Sequence, residues 1–180
     1  MTISKRAVPA IAALTLAGSI FAMTPVFAAG GESGSTTVPS CAKGKVWDRK
    51  KKRCVKANKS SSLSDDNLYA AARDLAYNQR YDEALVVLSL AANQDDPRIL
   101  NYKGYSTRKL GDVEGGLVFY QAALRIDPNY NLAREYMGEA FLQLGQIDKA
   151  REQLSEIGSR CGTDCREYAM LKQEIDRAIQ

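Results

Sequence analysis

A chain of 180 residues with 25 Lys and Arg, 21 Asp and Glu and no His is long enough for one modest domain with appendages. The absence of His excludes a Ser-His-Asp or Cys-His catalytic pair and any His-ligated metal site, and it removes the usual route to general base catalysis near neutral pH. No catalytic residue, metal or cofactor is therefore expected, and the chain reads as a non-enzyme. The formal net charge of +4 is unevenly spread: residues 41–59 hold nine Lys or Arg against one Asp, a net of +8, while residues 60–180 carry a net of −5.

Residues 1–28 read as a cleaved signal peptide. Lys5 and Arg6 give a positive start, Val8 to Phe21 is mostly apolar, and Val26-Phe27-Ala28 offers a cut after Ala28. The apolar run is broken by Pro9, Gly18 and Pro25, whereas a spanning helix needs about 20 apolar residues. No transmembrane segment is expected once the signal is removed, and the chain is expected to be periplasmic or secreted. Nucleic acid is then an unsuitable partner, and the even count of four cysteines would meet an oxidising compartment. Four cysteines allow three connectivities; the two local pairs, Cys41 with Cys54 and Cys161 with Cys165, are the expected ones.

Residues 29–40 are a Gly/Ser/Thr linker. In residues 41–55, Val46-Trp47 and Cys54-Val55 suggest two short strands about a turn. Such a hairpin is marginal alone, and a bridge closing so short a loop supplies about 3 kcal/mol in the loop-entropy account. Lys43, Lys45, Arg49, Lys50, Lys51, Lys52 and Arg53, with Trp47 as an apolar anchor, suit an anionic lipid surface or a cell-wall polymer. A solvated, cysteine-tied appendage is the plainer alternative, because charge runs are usually solvated. Residues 56–64 form a second linker.

Ser64 can cap a helix running to about Asn78, with Asp65 and Asp66 favourable in its first turn. A partner helix is predicted from Tyr81 to about Ala92. Asp96 can cap a helix that starts at Pro97, where a missing N–H costs nothing. Gly111 can end that helix in the left-handed conformation and Asp112 can cap the next, which stops before Pro128. Tyr102, Gly104, Leu110 and Gly111 recur thirty-four residues later as Tyr136, Gly138, Leu144 and Gly145. That period signals a stacked helix–turn–helix unit. Gly104 and Gly138 stand in mid-helix, where glycine costs about 1 kcal/mol against alanine. The cost makes sense if the partner helix crosses closely, small residue on small residue, at Gly116 and Ala150.

Gly104, Gly111, Tyr120, Ala123 and Pro128, in that order and spacing, resemble a tetratricopeptide repeat. Residues 131–164 match through Gly138, Phe141, Gly145, Ala150 and Leu154, with Gly162 where the closing proline would stand. An earlier copy at 65–96 matches through Ala72, Leu75, Tyr81, Ala84, Leu88 and Ala91, offset by thirty-two, with the missing two residues placed in the connector before Pro97. The implied fold is an all-α solenoid of three repeats, 65–96, 97–130 and 131–164. A capping helix at 165–180 follows, begun by Thr163 or Asp164 and buried along Tyr168, Leu171, Ile175 and Ile179.

The resemblance implies a protein or peptide partner in a groove lined by the first helix of each pair. Candidate contacts are Tyr69, Arg73, Tyr77, Asn101, Tyr105, Arg108 and Lys109, with Glu135, Glu139 and Gln143 making the third copy acidic. Aromatic and basic groups suit an extended peptide or an acidic segment. Some members of the family hold a C-terminal carboxylate with Lys and Asn; here Asn101 and Arg108 stand without the full set. An alternative function is an accessory domain of an envelope assembly or redox enzyme using Cys161 and Cys165, although redox pairs usually have two intervening residues and an α/β setting.

Overall fold

The computed structural model describes residues 39, 41–48, 50–57 and 63–180. The signal peptide with its cut at Ala28, the linker calls and Arg49 lie outside the described residues, apart from the edges of the linkers. Two strands, β1 (Lys45–Asp48) and β2 (Arg53–Lys56), pair antiparallel with Val46 opposite Val55 and Trp47 opposite Cys54. The Asp48 carboxylate accepts from the backbone N–H of Lys50 at 2.9 Å and of Lys51 at 3.0 Å, which tightens the turn. The Cys41 and Cys54 sulfurs lie 1.99 Å apart.

This hairpin packs on the helices. Val46 is only 1% exposed, in one core with Leu68, Ala71, Leu75 and Leu88. Arg80 donates to the carbonyl of Cys41 at 3.1 Å. The hairpin thus covers the first helical pair, and two strands that would be marginal alone gain an apolar seat. Its lysines at 43, 45, 50, 51 and 52 and Arg53 remain exposed, while Trp47 is half-buried.

Seven helices follow: α1 (Asp65–Tyr77), α2 (Tyr81–Leu88), α3 (Pro97–Lys109), α4 (Val113–Ile126), α5 (Asn131–Gln143), α6 (Ile147–Cys161) and α7 (Arg166–Ala178). The caps expected at three of them form. Ser64 accepts from the N–H of Asn67, Asp96 from that of Arg98, and Asp112 from that of Gly115. Gly111 and Gly145 end α3 and α5 with φ of 104° and 71°. Helix α2 stops at Leu88, short of the expected Ala92, because the chain after it is pinned elsewhere: the Asp65 carboxylate accepts from the N–H groups of Ala92 and Asn93 at 2.7 and 2.8 Å. That shortening sits next to the connector where the period falls to thirty-two.

Helix α7 begins differently from the expectation. Cys165 is its N-cap residue and makes no side-chain cap bond, so neither Thr163 nor Asp164 caps it. The extended backbone at Cys165 (φ −75°, ψ 153°) puts the first helical residue at Arg166, two past Asp164. Leu171 and Ile175 are buried as expected, Tyr168 is half-buried and Ile179 is exposed.

The close crossing at Gly104 is real. A Cβ there would lie 2.7 Å from Cε1 of Tyr120 and 2.9 Å from the backbone oxygen of Gly116, both on the partner helix α4. At Gly138 the nearest atoms come from a third helix, α7. A Cβ would meet Leu171 of α7 at 2.6 Å, because the capping helix lays its largest buried side chain over that glycine. Two main cores result, one about Leu68, Leu88 and Ile99 beside the hairpin, the other about Tyr120, Phe141, Ile157 and Leu171 beneath α7. Among the described residues no helix is long and apolar enough to cross a membrane.

Candidate binding face

The first helices α1, α3, α5 and then α7 lie side by side, so equivalent repeat positions form rows across them. One row system is aromatic. The rings of Tyr69 and Tyr102 lie 5.6 Å apart, those of Tyr77 and Tyr102 5.9 Å, Tyr77 and Tyr105 6.3 Å, and Tyr105 and Tyr136 4.9 Å. Most meet edge to face, the arrangement favoured by the ring quadrupole. The hydroxyl of Tyr102 donates to Tyr77 Oη at 2.7 Å, and the Tyr77 and Tyr136 hydroxyl oxygens lie 3.3 Å apart. Burial, with Tyr136 and Tyr77 close by, pushes the Tyr102 phenol above its ordinary value, so its hydroxyl stays neutral.

The structure brings Tyr69, Arg73, Tyr77, Tyr105 and Lys109 to this face with side chains at least partly exposed. Tyr77 is the most open of the tyrosines there, 49% exposed. Lys109 places Nζ 5.5 Å from the Tyr105 ring centroid. Arg73 stands 3.6 Å from the Asp74 carboxylate, and its Nε is buried without a hydrogen-bond partner. Tyr102 and Tyr136, which recur at thirty-four, are core residues, 0% and 6% exposed, and support the open tyrosines from beneath.

Arg108 and Asn101 depart from the expectation. Arg108 is a buried group, not a free groove cation: its side chain is enclosed, Nη2 donates to Glu139 Oε2 at 2.6 Å, and Nε donates to the Tyr120 hydroxyl at 3.3 Å. Helix α5 carries Glu139 across it, which a reading of α3 alone does not reveal. Asn101 is 0% exposed, with both side-chain amide atoms buried and unpartnered. The expected gradient from basic to acidic is therefore blunted, since the main cation of the second repeat is neutralised by the third.

Glu135 is also buried, 4% exposed. Loss of water around it, with Glu139 and Glu167 repelling, pushes its carboxyl up to about 8, against weaker attraction from Arg166 and Arg108. Gln143 is exposed at the end of the same helix.

Sγ of Cys161, Sγ of Cys165 and a carboxylate oxygen of Glu167 lie within 4.8 Å of one another. The two sulfurs are 2.07 Å apart.

Residues 108–175 match the family model described as tetratricopeptide repeat. Protein FlbA of Caulobacter vibrioides is 34% identical over 87 residues, 47% of this chain and 14% of FlbA. The chain thus spans about 14% of the length of that curated relative. Among solved structures, the first TPR of Spaghetti (RPAP3) bound to the HSP90 peptide SRMEEVD superposes with a TM-score of 0.56 at 16% identity, covering 66% of this chain and 95% of its own. PcrH in complex with the chaperone binding region of PopD gives 0.56 at 20% identity over 67% and 96%. The Yersinia enterocolitica type III secretion chaperone SycD, in complex with a peptide of the translocator YopD, gives 0.55 at 19% over 68% and 94%. At these identities the likeness concerns the fold. Three helical pairs at the repeat spacing and neighbours built the same way give the chain a tetratricopeptide-like fold, and residues 108–175 carry the match to the tetratricopeptide repeat itself.

Proposed function

We propose that the chain is a periplasmic or secreted, non-enzymatic scaffold that holds a protein or peptide partner on the face of α1, α3 and α5. The observation that carries the reading is the cluster of tyrosines there, with Tyr77 open and Tyr69 and Tyr105 partly exposed over the buried rings of Tyr102 and Tyr136. Tyrosine gives large contact area at small conformational cost, which is why it is enriched at interaction hot spots. The peptide complexes of Spaghetti, PcrH and SycD, named for their bound segments, support an interaction role for the same fold.

The test uses the chain in its own cells with a photo-crosslinking amino acid at position 77 or, as control, at Val118, exposed on the second helix α4. The expected result is a specific crosslinked partner from position 77 alone. The recovered chain should come from the envelope fraction, begin at Ala29 and titrate with no free thiol. Crosslinks equal at both positions, or none at 77, would remove the groove reading. Recovery from the cytoplasm with Met1 intact would remove the export reading.

The hairpin supplies a second contact, to an anionic lipid or cell-wall surface. Its lysines are exposed while its apolar side faces α1, so charge is presented outward on a fixed base. Replacing Lys50, Lys51 and Lys52 with Ser should abolish adsorption to vesicles containing anionic lipid at low salt. Wild-type adsorption should fade as the screening length shortens to about 10 Å at 0.1 M salt. Adsorption indifferent to both changes would refute this contact.

A further inference from the structure

We infer that the face described above takes a partner segment carrying a Lys or Arg side chain, whose cation is received by Glu135. The inference deepens the groove reading and rests on it.

Three observations lead there. Glu135 is 4% exposed, and no hydrogen bond or ion pair reaches its carboxylate from the described residues. A carboxylate drawn out of water without a partner is costly. Asn101 holds the equivalent position one repeat earlier, and its amide nitrogen and oxygen are both buried and unpartnered. An unpartnered buried amide and, at the matched position of the next helix, a carboxylate 4% exposed are what an arriving backbone and cation would satisfy. The third observation is the state of the other charges. Arg108, which would have favoured an acidic ligand, is consumed by Glu139.

The charged groups acting on Glu135 are Glu139 on its own helix, Glu167 and Arg166 on α7, and Arg108 on α3. The two glutamates raise its carboxyl together with burial, so without a ligand it is largely protonated at neutral pH. A bound cation favours the ionised form and expels that proton. Tyr102 and Tyr136 are buried, and the exposed parts of the Tyr77 and Tyr105 rings above them suit the same cation. A basic side chain extended past them ends in a setting where its charge is matched rather than merely screened.

The test titrates the full chain, with Lys50, Lys51 and Lys52 changed to Ser so that the hairpin does not hold the anionic probe, against fluorophore-labelled tetralysine and, separately, labelled tetraglutamate, read by anisotropy. Tetralysine should bind and tetraglutamate should not at the same concentrations. Glu135→Gln should weaken tetralysine binding at least tenfold while leaving helical dichroism and Tm in place. If that variant fails to fold, the chain with Glu135 intact still decides the matter. Tetralysine affinity should climb roughly thirtyfold between pH 6.5 and 9 as a single carboxyl near 8 ionises, since lysine stays charged throughout. A flat pH profile, a preference for tetraglutamate, or an unaffected Glu135→Gln variant would overturn the inference. Should crosslinking from position 77 succeed while tetraglutamate is the better ligand, the groove stands and the cation site falls.

Discussion

Glu139→Ala should lower the stability of the helical array by about 3 kcal/mol, a fall in Tm of roughly 10 °C for a domain of this size. The reason lies on the other side of the ion pair. Arg108 has no solvent-exposed side-chain surface, whereas Glu139 retains 20%. Removing the carboxylate therefore strands a guanidinium in the interior, and a guanidinium cannot shed its proton to escape the cost. Arg108 Nη1 is already buried without a partner, so the change leaves a second donor of the same group unmet. Replacing both partners, Arg108→Met with Glu139→Leu, should cost less than the single change, since a buried pair is often nearly neutral against apolar residues of similar size. It would still leave the Tyr120 hydroxyl without its partner Nε, worth about 1 kcal/mol. Thermal melts of the single and double variants check this. A single variant that melts with the wild type would mean that Arg108 is hydrated in solution and available to ligands after all.

Gly104→Leu should cost about 3 kcal/mol or more by overpacking. The obstruction at Gly104 is partly backbone: the Gly116 oxygen stands 2.9 Å from where a Cβ would be, and Tyr120, fully buried, closes the other side. Backbone cannot swing aside without separating α3 from α4. Gly138 differs, because the atoms that would collide are the terminal methyls of Leu171, and α7 can shift outward to relieve them. Gly104→Ala should therefore destabilise more than Gly138→Ala, although both gain about 1 kcal/mol of helix propensity. Chemical denaturation of the two alanine variants ranks them; the reverse order would show that α7 is held more rigidly than the α3–α4 crossing.

The repeated spacing made the helical pairs legible, because small residues and turn glycines at fixed intervals are local demands of a close crossing. The caps were legible for the same reason: Ser64, Asp96 and Asp112 act within three residues of themselves. Contacts between repeats were not. Arg108 and Glu139 meet across 31 residues, and nothing in α3 itself says that its arginine is met by a carboxylate from α5. The seat of the hairpin was hidden likewise. Val46 looked like half of an isolated strand pair, and only the apolar surface of α1 beside it makes it a core residue. Of the face itself, Tyr69, Tyr77 and Tyr105 were visible as unassigned first-helix positions. Tyr102 and Tyr136, taken up by the repeat pattern, are core residues beneath them.

Trp47 is the single tryptophan of the chain and sits half-buried near Ala71, Leu75 and Arg80, whereas the nine tyrosines are concentrated in the helices. Indole emission consequently reports whether the amino-terminal lid is seated, while phenol emission follows the helices beneath it. The two chromophore classes divide the molecule optically, so detachment of that lid could be timed against melting of the solenoid in one unlabelled sample.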